Sequence, residues 1–593
     1  MSDVQTPLAT LALIVVMLGV SWAVRRSTST TLDFYLANRQ VGPFLNACAI
    51  CGDYFSAASF LGVAGAVYAS GLDGVWFATG FAAGFLVVLF FLAAPLRRAG
   101  QFSIPDFLAH RFASAKVRLG AVAIVQLIVL LYLVPQMAGA GLIWEVFVGE
   151  GLAGSSPYVT GIVLSTVVIV IQAVVGGMKG TTWNQALQFG LKGFTVFLLA
   201  MIALGHGFGY SEAVDDLSRR PLSAPAEVSR EELLANDGEL LASAGSVMSN
   251  QGFASIRRRL DAGATRVEVL LPADNRLHPE RTMRFGEPGY RYTLWGQIAL
   301  IVTLLLGTAG LPHITNRYFT STSGRSARTS TVWVLGIAGL FYFFAVLLGV
   351  AARRQLPGFV GSITNSDFVD GVARVPEKAL LLLAHNLGGD SLLALVSAAA
   401  LAAVFSTVAG LLLAAATSWG HDVYEQFINP AASERRRIMF GRAAVSLTAL
   451  LAALIGILLR TVEFPSAPSV ALMVTWAFAV AGSALTPVFL LGVWWKGMTA
   501  RGALGGMIVG CFVALALVGT GLLHQFFAWI PSTSFSNFPT IVAAPLAAAA
   551  AVAVSVADER ADATAWWVRV HGTAQERRQA LLARLAARSG GTA

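Results

Sequence analysis

Charge is what this sequence has least of. Only 12% of its 593 residues are Asp, Glu, Lys or Arg, about half the roughly 25% of soluble globular chains. With 56% hydrophobic residues and a mean hydropathy of +0.68, that scarcity excludes an ordinary soluble domain and marks a polytopic membrane protein. Acidic residues are fewer than basic ones, 32 against 41. In a soluble chain the resulting +9 would suggest nucleic acid. Here the arginines fall in short stretches between apolar runs, the positive-inside pattern, so the partner is a lipid bilayer and not nucleic acid. Cysteine is nearly absent too. The three, Cys48, Cys51 and Cys511, all sit in apolar segments. A CxxC pair can be redox-active or bind metal, but with no further ligand residues beside it Cys48–Cys51 reads as packing. No nucleophile–base or metal constellation recurs, which argues against an enzyme.

Apolar runs of about 20 residues, enough for one crossing, fall near 8–24, 41–70, 74–96, 119–148, 158–177 and 182–207. A second series covers 292–312, 330–351, 389–421, 438–459, 468–494, 502–523 and 538–557, thirteen in all. The first run has Asp3 before it and Arg25 and Arg26 after it. That is the reverse of a signal peptide, and predicts a retained span with the N-terminus outside and the C-terminus inside a bacterial-type inner membrane. On this count Arg97, Arg98, Arg111, Lys116, Arg118, Lys179, Arg317, Arg325, Arg328, Arg435 to Arg437, Lys496 and Arg501 lie in cytoplasmic loops, and Arg353 and Arg354 are the exception. The expected organisation is an extra span (1–30), five spans (41–207), an extracytoplasmic insert (208–291), five more spans (292–494), two further spans (500–557) and a basic tail (558–593). Within the insert SREELLANDGELLASAG predicts helix and TRVEVLLPAD a strand, read as a small fold without a direct transport role. The tail, with Trp566, Trp567, Leu581, Leu582 and Leu585, predicts an amphipathic helix on the inner leaflet or a solvated segment.

One apolar stretch is chemically unlike the rest. Asn46 to Gly65, NACAICGDYFSAASFLGVAG, carries Asp53, Ser56 and Ser59 among Gly52, Gly62 and Gly65. A carboxylate at membrane depth costs about 2.5–3.5 kcal/mol on insertion scales, so it must face protein, water or cargo. The glycines predict a broken helix of the kind that builds transport sites. A second stretch, Leu392 to Tyr424, is alanine-dominated, with Ser406 and Thr407 as the hydroxyls at its centre and Ala403 one turn earlier on the same face. Two hydroxyls with carbonyls from Gly52–Phe55 would suit a hard cation such as sodium. Elsewhere, Pro135 frees a carbonyl beside Gln136, Thr181 is placed to cap a helix, and Gly307, Thr308, Ala309 and Gly310 form a narrow surface.

Five segments, GDYFSAASFLG (52–62), LYLVPQMAGAG (131–141), GGMKGTTWNQ (176–185), GTAGLPHITNRYF (307–319) and Ser406-Thr407 with His421-Asp422-Val423-Tyr424, resemble the sodium/solute symporters. The nearest subgroup is the cation/acetate symporters, or monocarboxylate permeases. The resemblance implies an all-α fold with a 5+5 inverted repeat, as in the bacterial leucine transporter. It implies a sodium site at Gly52, Phe55, Ala403, Ser406 and Thr407, with Asp53, offset by one from the sodium-site Asp of proline-transporting relatives, as a coupling residue. Tyr54, Ser56, Ser59, Gln136 and Thr308 would line the solute pocket, where exposed amides of the broken helix would hold a carboxylate. The small residues at 307–309 argue against a sugar. The expected function is sodium-driven uptake of acetate, propionate or pyruvate by alternating access. The alternatives are proton coupling, another solute, or a non-transporting sensor, and a small membrane partner is left open.

Overall fold

The computed structural model describes all residues except 1–4, 26–29, 148–150, 152–153, 236–237, 274–281, 290–292, 360–367, 463–467, 528, 532, 534, 560–561, 574, 580–581 and 583–593. Among the described residues ten helices are long and apolar enough to cross a membrane, eleven with the bent pair Leu294–Gly310 and Pro312–Phe319. Three of the ten are too long for one crossing. The 53-residue Pro376–Ile428 breaks at Gly388 and Gly389, close enough to its start that only one pass follows, and the other two each make two passes. The 42-residue stretch Ala58–Ala99 reverses at Gly71, where φ is +60°, and the 49-residue Pro157–Gly205 reverses at Gly177, where φ is +55°. Side chains rarely tolerate those angles, so glycine sets both turns. Splitting them gives thirteen passes, as hydropathy predicts.

The passes fall into two sets of five that each open on an interrupted helix. In the first, Pro43–Tyr54 stops at Phe55 and resumes as a π-turn at Ala58. In the second, Gly310 and Pro312 flank the extended Leu311, and the two halves meet at 42°. Proline is tolerated there because the first position of a helix needs no N–H. Elsewhere Ser103, Ser156, Thr293, Ser323, Ser469 and Thr499 cap helices by accepting a backbone amide with their hydroxyl.

Burial ranks the helices. In the apolar window of Pro376–Ile428, 89% of residues are buried, against 28% for Ala500–Phe526 and 17% for the first helix. The alanine-rich helix is therefore central and the extra helices peripheral. Small side chains permit that position, since they let neighbouring backbones approach.

The polar interruption folds as expected and contains more. Strand Arg266–Pro272 pairs antiparallel with Ser223–Ser229, and helices Arg230–Leu234, Glu239–Val247 and Asn250–Asp261 lie between them. Val228, Leu233, Ala244, Ile256, Leu260, Val267 and Val269 form its own core, while Leu222, Met283 and Phe285 belong to the core of the bundle. It is therefore rooted in the bundle as well as carried by it. In the tail, Leu581 and Leu585 lie outside the described residues and Leu582 is exposed. Helix Thr564–His571, however, docks on the bundle: Trp566 meets Phe107 edge-on and lies under the Arg111 guanidinium, and Arg98 donates to Val570 O at 3.1 Å.

Three expectations need correction. Arg317 is not a loop charge but is 1% exposed, inside the bundle. Thr181 caps nothing, because the turn falls at Gly177 and the helix already runs through Thr181. The amides at the first break are not exposed either. Ser56 N donates to Tyr54 O, Ser59 N and Phe60 N to Ser56 O, and Ala57 N to Gln136 Oε1 at 3.1 Å.

Candidate functional site

Interrupting a helix leaves its last carbonyls without intrahelical donors, and the helix dipole makes that end negative. At the end of Pro43–Tyr54 these carbonyls find unusual partners. Lys192 Nζ donates to Gly52 O at 2.7 Å, to Phe55 O at 2.8 Å and to Ser406 Oγ at 3.0 Å. Ser406 in turn donates to Ala403 O at 3.0 Å, and Thr407 Oγ1 donates to Asp53 O. The structure thus brings Gly52, Phe55, Ala403, Ser406 and Thr407 together at one place between the broken helix and the alanine-rich helix. What points into their oxygens is an ammonium of the chain itself. Lys192 is fully buried, on the second half of Pro157–Gly205. Sequence reasoning passed over it, although a lysine inside the apolar run 182–207 was a signal in its own right.

The same helix holds Gln185, whose Nε2 donates to Ser406 O at 2.8 Å and whose Oε1 accepts from Arg317. Arg317 also donates to Thr182 Oγ1 at 2.7 Å, and its Nε lies 3.7 Å from Asp53 Oδ2. Asp53, Lys192 and Arg317 therefore form one buried cluster of two basic groups and one acidic group. Buried charges survive only when paired and hydrogen-bonded, and this set has one more basic group than acidic.

The five residues expected to line a solute pocket gather around the break. Tyr54 Oη lies 2.8 Å from Thr308 Oγ1 and donates to Phe81 O at 3.0 Å. Ser59 Oγ is 2.9 Å from Tyr342 Oη, Tyr132 Oη donates to Ser56 Oγ at 3.4 Å, and Gln136 anchors Ala57. Phe81, Phe85 and Phe478 pack on Tyr54, and Tyr132 faces His313 edge-on. Gln136 Nε2 and both His313 ring nitrogens are buried without a hydrogen-bond partner among the described residues. All five side chains are essentially sealed from solvent. The cavity beside Ala57, lined by Leu61, Gly139, Leu142 and Val470, measures about 10 Å³, room for one water. The site is closed around its aromatic walls.

A second charged cluster lies at the end of the bundle opposite the insert. Arg118 bridges Asp106 at 3.0 Å and Asp422 at 2.8 Å, Ser103 donates to Asp422 at 2.5 Å, and His421 stacks on Phe102. Asp106, His421 and Asp422 are close enough together to hold a metal, but the Arg118 guanidinium already takes an oxygen of each carboxylate, which makes the group an ion-pair lock. Burial alone would raise the Asp106 carboxyl. Hydrogen bonds from His110 and His421 and the His421 charge overcome it and hold that carboxyl well below the usual range.

Thirteen passes, two interrupted helices opening two five-helix halves, and a cation cradle where one break meets an alanine-rich helix define a secondary transporter of the inverted-repeat class. The model of the Sodium:solute symporter family matches residues 34–256 and 265–510, and the chain belongs to that family. It is 31% identical over 546 residues, 90% of this chain and 88% of the other, to a monocarboxylic acid transporter of Corynebacterium glutamicum. It is 32% identical over 510 residues, 86% and 84% of the two chains, to an uncharacterised symporter of Bacillus subtilis. Among solved structures it resembles a Na+-coupled sialic acid symporter in its substrate-bound outward-open state, with a TM-score of 0.67 at 15% identity over 95% of this chain and 100% of that one. That last likeness concerns the fold. The protein is a multi-pass symporter, not an enzyme.

Proposed function

We propose that this symporter takes up a short monocarboxylate, such as acetate, propionate or pyruvate, by alternating access, with the N-terminus and the insert outside the cell membrane and the C-terminus inside. The observation that carries this reading is the surplus of basic over acidic side chains in the Asp53–Lys192–Arg317 cluster beside an aromatic site. In a low-dielectric interior an unbalanced cation favours an anionic ligand. Close packing of the tyrosine and phenylalanine walls favours a small one. The monocarboxylic acid transporter relative supports the same solute class. Tyr54, Ser56, Ser59, Gln136 and Thr308 line the solute site in this reading. Its carboxylate takes the free Gln136 Nε2 donor rather than the break amides, which are already engaged.

Coupling requires a cation to bind with the solute and order the broken helix. The carbonyls of Gly52 and Phe55 and the hydroxyls of Ser406 and Thr407, with Asp53 behind them, supply the oxygens that sodium needs. Sodium coupling, which the family name favours, is thus open to this cradle whenever Lys192 withdraws from it. Uptake of radiolabelled acetate, pyruvate, proline and glucose by vesicles containing the purified protein tests the solute class. Acetate and pyruvate should accumulate, and preference for glucose or proline would overturn it.

A further inference from the structure

We propose that the cleft between the insert and the outer end of the bundle is a second ligand site, which takes a small oxyanion, a carboxylate or a phosphate, on the guanidinium of Arg353. This goes beyond the symport reading and borrows from it only the orientation that places the cleft outside.

The starting point is the exception to the positive-inside pattern. Arg353 and Arg354 end helix Gly324–Gln355 on the side of the insert. The negative end of a helix dipole favours basic residues, which accounts for exposed charges there but not for a buried one. Arg354 is half-exposed and pairs with Asp216 at 3.0 Å. Arg353 is 8% exposed and has no acidic partner among the described residues. Its Nη2 donates to Ser223 O at 3.0 Å and to Ser223 Oγ at 3.4 Å, and its Cζ lies 5.2 Å from the centre of the Tyr68 ring. Nη1 is buried with no hydrogen-bond partner among the described residues. A buried charge is stable only when it is paired and hydrogen-bonded. Water can fill unused donors but cannot balance the charge. A carboxylate or phosphate does both, because its oxygens match the guanidinium fork.

The cleft that Arg353 lines has the charge and the size for such a ligand. It measures about 1140 Å³, ample against the roughly 300–1,000 Å³ of small-molecule sites. Arg220, Arg259 and Arg374 line it together with Arg353 and Arg354, against three carboxylates among the described residues. Those three are engaged already: Asp216 by Arg354, Glu268 by Arg374 at 2.5 Å, and Asp370 by the Ser249 hydroxyl at 2.6 Å. Five guanidiniums against three carboxylates leave the lining positive, and a cleft with a surplus of one sign concentrates the opposite ion. Arg353 is also where several elements meet. It holds the insert through Ser223 and the second half of the broken helix through Tyr68, whose Oη accepts from Ala373 N of the hairpin Phe368–Ala373 at 2.8 Å. That hairpin forms part of the cleft wall. An oxyanion on Arg353 therefore steadies the hairpin and strand Ser223–Ser229 together.

Hydrogen exchange of the full chain in detergent, read by mass spectrometry at residues 368–373 and 223–229, tests this. The probes are potassium phosphate and potassium pyruvate, each compared with potassium chloride at equal ionic strength. At least one should slow exchange across both segments by about threefold or more at saturation. Slowing by phosphate alone makes the occupant an inorganic ion, by pyruvate alone a carboxylate of the solute class, and by both an oxyanion of either source. Arg353→Gln, which keeps an amide donor for Ser223 and removes the charge, should lose the protection. Arg220→Gln combined with Arg259→Gln changes two exposed side chains and should raise the half-saturating concentration about two- to tenfold. No slowing by either probe overturns the proposal, as does slowing that persists in Arg353→Gln, since it would then arise elsewhere in the protein. If Arg353→Gln does not fold, an unchanged half-saturating concentration in the double variant overturns it instead. The phosphate measurement is independent of the transported solute, so its failure and a failure of monocarboxylate uptake are separate results.

Discussion

At the level of single residues, the cradle depends on side chains that are missing. A methyl group on Gly410 would run into both carboxylate oxygens of Asp53, and one on Gly52 into the backbone of Gln185. Both glycines let charged or polar groups approach a backbone that any larger residue would hold off. Gly410→Ala should push Asp53 away from Arg317, with an overpacking cost of about 1–3 kcal/mol. The expected result is a folded protein with a lower Tm and strongly reduced pyruvate uptake, and unchanged uptake would show that the Asp53–Arg317 approach is dispensable. Thr407 makes the complementary case. Its hydroxyl takes the carbonyl of Asp53, so Thr407→Ala leaves an orphan carbonyl at the broken end, at about 1–3 kcal/mol. Uptake should need a higher concentration of the coupling cation for half-maximal rate, and identical ion dependence would remove Thr407 from the cradle. These positions were legible in the sequence because polarity is conspicuous in an apolar run. Lys192 was not read, since one charge vanishes in the average hydropathy of a 26-residue span and its partners are backbone carbonyls, which no sequence displays.

The elements show the same division between what pattern reveals and what packing decides. Gly52 with Gly62 and Gly65 announced an interrupted helix, and the alanine run announced a close-packed one. The position of Arg317 was misread because the break at Leu311 carries the chain inward instead of into a loop. Arg118 repeats the lesson. It begins helix Ala115–Phe147, where positive-inside logic places it in water, yet it is buried between Asp106 and Asp422. That bridge joins the helix Ile104–Phe112, the start of the next span and the end of the alanine-rich helix, whose π-turns at Ser418–Ile428 turn His421 and Asp422 toward it. Arg118→Met would leave two buried carboxylates facing each other, a loss of about 3–5 kcal/mol, and thermal unfolding in detergent should register it as a large fall in Tm. The lock also has a pH signature. Asp106 titrates below its unfolded value of about 3.9, so its contribution is complete above that pH and is lost as pH falls toward the folded value. Asp106→Asn should therefore flatten the acid limb of a Tm-against-pH curve, and an acid limb as steep as the wild type's would assign the acid sensitivity elsewhere.

For the whole molecule, the question is how far the insert and the carrier are separate machines. The insert reads as a tolerated addition in the sequence, since polar composition shows that it leaves the bundle but not where it is rooted. Its roots lie in the transport core. Leu72 N donates to Phe285 O at 3.0 Å, directly after the second half of the broken helix, and Gly71 has no space for a side chain there. Arg353, buried at the base, donates to Ser223 O at 3.0 Å. Further out, Ser249 Oγ donates to Asp370 at 2.6 Å and Arg374 pairs with Glu268 at 2.5 Å. Those contacts fasten the insert to the hairpin Phe368–Ala373, whose Ala373 N donates to Tyr68 of the broken helix at 2.8 Å. Cutting at different depths should therefore give different outcomes. Removal of residues 215–285 takes Leu222, Met283 and Phe285 out of the bundle core, and losing one such aromatic alone costs about 3–5 kcal/mol, so that variant should unfold or fail to insert. Replacing 226–269 by Asn-Gly keeps the strand pair Pro225–Leu270, which a two-residue turn can close, and leaves every root in place. That variant should fold and take up pyruvate, with faster hydrogen exchange across 368–373 because Asp370 and Arg374 have lost their partners. If it folds but does not transport, the insert is part of the gate, and the hairpin it clamps is the element through which it acts.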